Sequence, residues 1–170
     1  VFGRKTNNIF CFALSTMVGR KKINLLVPFF SNFSLDAQAS IKLSYVFDSL
    51  KRGIFQKNLS KFVKIKKILC SFKPLDDYKF KPFFIKIDTE GSEHLVLEGL
   101  NKTLKKYKPV VMIEKNDINF FLIKKKLKKI NYEIYSFRKE KLDKYYFKKK
   151  EHLNLICINK NERELVKTFF

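Results

Sequence analysis

Glycine and proline are scarce, five and four of 170 residues, and no stretch is rich in Pro, Gly or Ser. A flexible linker is therefore excluded, no internal repeat is visible, and a single globular domain spanning 1–170 is the default. Cysteine is confined to Cys11, Cys70 and Cys157, each inside an apolar run and without a CxxC pair. That pattern rules out a disulfide framework and fits buried free thiols in a reducing cytoplasm. Histidine is limited to His94 and His152, far apart and without partners at ligand spacing, so no structural metal is expected. No run reaches the roughly eighteen apolar residues of a membrane-spanning helix. The apolar segment 9–18, preceded by Arg4 and Lys5, has the length of a secretory core. Its continuation through Arg20-Lys21-Lys22 into Ile23-Asn24-Leu25-Leu26-Val27 reads instead as a turn between two strands, and a cytoplasmic location is expected.

Acidic residues are also few, 16 against 37 basic ones, leaving a net charge of +21. Such a charge raises the question of nucleic acid or an anionic surface. Only Arg4, Arg20, Arg52, Arg138 and Arg163 carry the forked guanidinium that base readout and phosphate clamping favour. A solvated lysine-rich surface on an enzyme is the favoured reading. A non-catalytic basic module, binding nucleic acid or anionic surfaces through residues 121–150, is the alternative.

What is present is a pattern of alternating elements. Asn8 to Ala13 reads as a short buried strand and Lys22 to Phe29 as a second. Residues 31–60 read as irregular: Ser34, Asp36 and Ser40 can cap turns, Ile41, Tyr45, Phe47 and Leu50 are patchily spaced, Gly53 is a breaker, and the stretch has room for one short helix at no fixed place. Phe62 to Ser71 alternates apolar residues with lysines, as a strand at a sheet edge does. The second half is sharper. Phe83 to Asp88 reads as a buried strand, Glu90-Gly91-Ser92 as a turn, and Glu93 to Leu104 as a helix with apolar positions at Leu95, Val96, Leu97, Leu100 and Leu104. Pro109 stops that helix before the strand Val110 to Glu114, completing a βαβ unit whose two strands must be parallel. Asp117 can cap the next helix, which carries Phe121, Leu122, Ile123, Leu127 and Ile130 opposite a lysine face. Tyr132 to Phe137 and Leu153 to Asn159 read as the last strands, joined by a lysine-rich connection over 138–150. The order predicts an α/β domain, a mostly parallel doubly wound sheet closed by an antiparallel C-terminal hairpin.

In open parallel sheets ligands lie beyond the carboxyl ends of the strands. That rule puts Asp88, Thr89 and Glu90 on one rim with Glu114, Lys115 and Asn116. Asp88 leaves an apolar strand and is a candidate general base, while Gly91 permits a sharp turn and Glu93 opens the helix, where the dipole favours an anion. An acidic residue at a strand end often only caps the next helix, and the sequence leaves both readings open.

The string Phe84-Ile85-Lys86-Ile87-Asp88-Thr89-Glu90-Gly91-Ser92-Glu93, then Leu97-Glu98-Gly99-Leu100, then Pro109-Val110-Val111-Met112-Ile113-Glu114 resembles the FkbM methyltransferase pattern. Lys73 to Tyr78 is similar to the family's TLDDY segment, with Lys73-Pro74 in place of the usual small residue and Thr. Ala13-Leu14-Ser15 is similar to its ALS turn, and Leu153 to Ile158 to its closing strand. The resemblance implies a class I methyltransferase (Rossmann-like) sheet and S-adenosylmethionine-dependent transfer of a methyl group to a hydroxyl of a sugar, polyketide or related small molecule. It implies catalytic roles for Asp88, supported by Glu90 and Glu93, with His94 as an outside candidate, and acceptor contacts from Glu114 and Asn116. The donor would need a glycine-rich turn and a carboxylate after a preceding strand. Gly3, Gly19, Gly53, Gly91 and Gly99 never cluster, so two expectations stand: the donor-binding elements lie upstream of Val1 and the domain is incomplete at its N-terminus and inactive alone, or the chain is a degenerate member without activity.

Overall fold

The computed structural model describes residues 13–14, 22–35, 38–52, 62–115, 119–138, 141–146 and 154–164. Two mixed sheets and four helices make up this part of the chain. The first sheet has the order β1-β4-β2-β3, from β1 (Ala13–Leu14), β2 (Lys22–Phe30), β3 (Phe33–Ser34) and β4 (Val63–Lys73). Strands β2 and β4 pair antiparallel over their length, from Lys22 opposite Ser71 to Phe30 opposite Val63. One helix, α1 (Leu43–Arg52), stands in the region that reads as irregular; Tyr45, Val46 and Leu50 bury its inner face, and it packs on β2.

The second sheet has the order β5-β6-β9-β7-β8, from β5 (Phe84–Ile87), β6 (Val110–Glu114), β7 (Tyr132–Arg138), β8 (Lys141–Lys144) and β9 (Asn154–Asn159). Strands β5 and β6 are parallel, Ile87 beside Ile113, as the crossover through helices requires. Strand β9 runs antiparallel to both β6 and β7, which sets β7 in the same direction as β5 and β6. The sheet is α/β but mixed. The predicted mostly parallel sheet is corrected here: the returning β9 inserts between two co-directional strands, and β8 folds back on β7 across a connection too short for a crossover. Helices α2 (Glu93–Gly99), α3 (Asn101–Tyr107) and α4 (Phe120–Lys129) cover this sheet. Leu97, Leu104, Phe120, Ile123 and Leu127 from the helices, with Leu100 between α2 and α3, meet Val111, Ile113, Leu155 and Cys157 from the strands in one apolar core. Burying each such aliphatic side chain contributes about 1.5–3 kcal/mol.

Other expectations change on contact with the fold. The predicted edge strand β4 lies inside its sheet, between β1 and β2, while the predicted buried strand β5 pairs on one side only among the described residues, leaving Phe84 and Lys86 exposed. Alternation reports which face is wet, not which strand is at the edge. The predicted continuous helix from Glu93 breaks at Leu100, after Gly99, a poor helix former. The break frees the N–H groups of Lys102 and Thr103, and both are taken by the carboxylate of Asp76 at 2.7 and 2.8 Å. The lysine-rich connection contains β8, which the sequence reading missed. Cys157 is buried, and burial pushes its thiol up; Cys70 is half-buried. Asn8 to Phe12, Ser15, Asp36, Asn116, Asp117 and Leu153 lie outside the described residues.

Candidate functional site

Strand β5 ends at Ile87, and the loop 88–92 turns the chain into α2 at the carboxyl end of the parallel pair. Two consecutive residues there take left-handed backbone, Glu90 at φ 46° and Gly91 at φ 97°. A β-branched or bulky residue would be strained at either position. The turn is held by its successor: Glu93, fully buried, accepts through Oε1 from the N–H of Thr89 at 3.2 Å, its hydroxyl at 3.1 Å and the N–H of Gly91 at 2.9 Å. Of the acidic residues of the string, Glu93 therefore faces inward and Asp88 outward.

Other segments pin the same loop. Ser40 donates its hydroxyl to the Glu90 carbonyl at 3.0 Å, and Asn119, buried at the start of α4, donates to the Gly91 carbonyl at 2.6 Å and to the Tyr45 hydroxyl at 2.8 Å. The Tyr45 ring lies against Gly91, where an added β-carbon would come within 2.7 Å of it. Ser40, Tyr45 and Asn119 were not singled out for the site by sequence, because they reach the loop from 50, 46 and 28 residues away in the chain.

The loop brings three carboxylates together. Oxygens of Asp88, Glu90 and Glu114 lie within 4.8 Å of one another, at the ends of adjacent strands, so the predicted common rim is real for these three residues. Asp88 is 41 % exposed and pairs with Lys86 at 2.9 Å. It is not the desolvated carboxylate that its apolar strand suggests. Asp88 in turn holds the Lys86 ammonium above its ordinary value, first through their hydrogen bond. A wet carboxylate beside two others and a lysine can accept a proton or bind a hydroxyl, and three carboxylate oxygens at this spacing are also ligands suited to a hard divalent cation.

His94, next along α2, turns away from the rim. It lines a cavity between α2, α3 and α4, and burial, followed by the Lys42 charge, lowers its pKa. Asn116 lies outside the described residues. Of the five glycines, only Gly91 and Gly99 are described, and the space above Gly91 is taken by Tyr45. The described glycines do not form a cradle for a methyl donor.

No helix among the described residues is long and apolar enough to cross a membrane. No curated protein and no solved structure matches the chain. Residues 3–149 match the methyltransferase FkbM domain, and the chain belongs to that family.

Proposed function

We propose, from membership of the FkbM methyltransferase family, that this chain serves S-adenosylmethionine-dependent O-methyl transfer to a hydroxyl of a sugar, polyketide or related small molecule. S-adenosylmethionine would supply the electrophilic methyl group. The observation that carries the reading is the convergence of Asp88, Glu90 and Glu114 beyond the carboxyl ends of two parallel strands, where α/β sheets hold their ligands. This parallel pair, with β7 co-directional and β9 antiparallel, also supports the class I methyltransferase reading of the sheet.

Asp88 is the proposed base: it is exposed to an incoming alcohol, its carboxylate takes the hydroxyl proton as the oxygen takes the methyl group, and Lys86 at 2.9 Å orients it. Glu90 and Glu114 orient the acceptor by accepting from its other hydroxyls. Glu93 acts through the loop, since its Oε1 bonds fix Thr89 and Gly91. The reading covers the acceptor side.

The test is a transfer assay with labelled S-adenosylmethionine and a panel of hydroxylated acceptors, on the protein as its gene encodes it. Asp88→Asn should lower transfer about 10²- to 10⁴-fold, the usual contribution of a positioned base, with an unchanged circular dichroism spectrum. Full turnover in that variant would remove Asp88 from the mechanism.

A further inference from the structure

A second concave site lies away from the carboxylate rim. A cavity of about 300 Å³ opens between α2, α3 and α4, and four of its walls are the lysines Lys105, Lys125, Lys126 and Lys129. Glu98 is the one carboxylate lining it. Lysines on a convex surface keep their charges apart in water, but a cleft with low-dielectric walls concentrates the field. Here the apolar walls are Leu122 and Ile130, and Lys126 is half-buried. Burial is the first cause of a lowered pKa at Lys126, so the free cavity holds this one cation at a cost.

His94 supplies the second observation. Its Nδ1 is buried without a hydrogen-bond partner among the described residues. His94 lines the same cavity, and a neutral ring with its proton on Nε2 would offer a donor there. A comparable cavity on the other side of α4 differs in this respect. Its carboxylate, Glu133, already engages two cations, Lys144 and Arg163, in ion pairs.

We propose that the cavity between α2, α3 and α4 binds a small ligand through a phosphate group or an equivalent dianion, with Lys105, Lys125, Lys126 and Lys129 as counter-charges and His94 as a neutral donor. The cavity is a single pocket, not a stripe, and no Phe, Tyr or Trp lines it for stacking bases; a nucleic-acid strand would want both. This site is independent of the methyl-transfer reading, because none of its residues contacts the Asp88 cluster.

The test uses the whole chain and inorganic pyrophosphate as the probe, by isothermal titration calorimetry at physiological salt. One saturable site per chain is expected. Lys126→Gln with Lys129→Gln should weaken it more than about tenfold, since each charged hydrogen bond lost is worth roughly a factor of ten. Lys126→Arg with Lys129→Arg keeps the charge and should stay within about threefold, which guards against a folding artefact. Lys64→Gln with Lys66→Gln on β4 removes the same charge elsewhere and should change the affinity less than about twofold. Equal weakening by both glutamine pairs, or no saturable binding, would overturn the site. So would binding of a single-stranded oligonucleotide or of phosphatidylserine vesicles that depends on Lys126 and Lys129 but is not competed by pyrophosphate.

Discussion

The carboxylate of Asp76 accepts the hydroxyl of Thr103 at 2.7 Å while also receiving the N–H groups of Lys102 and Thr103. An acid in a 3-10 turn at Leu75–Asp77 thereby caps a helix that starts more than twenty residues later. The Asp76-Asp77 string, read from sequence as a family signature, thus has a structural task in this chain: it secures the second half of the broken helix that leads to β6.

Removing that cap should be measurable. Asp76→Ala is expected to destabilise the chain by about 1–2 kcal/mol, in the range of lost helix caps, while Asp76→Asn, which keeps one acceptor oxygen, should lose less. Urea denaturation followed by circular dichroism gives the comparison. Equal stability of wild type and Asp76→Ala would mean that water replaces the carboxylate at no cost.

Glu93 carries a larger share. Its side chain is fully buried and is the acceptor for the Thr89 and Gly91 N–H groups. Glu93→Ala strands those donors and is expected to cost about 3 kcal/mol, because unsatisfied buried groups lose their full solvation. Glu93→Gln keeps the accepting oxygen and should lie between. If the alanine variant melts with the wild type, Glu93 does not hold the loop.

Gly91 tests the geometry of the same turn. Alanine there would combine a left-handed backbone at φ 97° with a β-carbon 2.7 Å from the Tyr45 ring. A loss of about 2 kcal/mol is expected from strain and displacement together. The variant should also shift the Asn119 and Tyr45 resonances in an NMR spectrum, since Asn119 bridges the Gly91 carbonyl and the Tyr45 hydroxyl. Unmoved resonances would contradict the close packing.

Glu133 sets an acid limb on stability. Its hydrogen bond from Lys144, with those from Arg163 and Tyr135, holds its carboxyl down to about 2 from an ordinary 4.5, against the opposing effect of burial. The unfolded chain therefore takes up a proton near pH 4.5 while the folded chain stays ionised until about pH 2. Folding stability from this group is full above pH 4.5 and is lost as pH falls toward 2. Glu133→Gln should flatten that part of the stability profile. Lys144 and Arg163 are about half exposed, so salt should shrink the effect. A profile unchanged by the substitution would show that other carboxylates set the limb.

Local spacing in the sequence determined the order of elements in the second half. The strand into Asp88, the glycine turn, the amphipathic α4 and the strand from Tyr132 follow from apolar period and breakers, which short segments contain in full. The acidic string also identified the rim, because β5 and β6 are joined by a crossover that forces them parallel. Only the tertiary structure decided which strand neighbours which. Strand β9 chose the gap between β6 and β7, β4 took an interior place despite its lysines, and the four residues of β8 formed by pairing with β7. Those outcomes depend on pairing energy between segments far apart in the chain, and a strand's own residues record its wet and dry faces but not its partner. The roles of Asp76, Tyr45 and Asn119 were invisible for the same reason: each acts on a backbone group that only folding brings within hydrogen-bond reach.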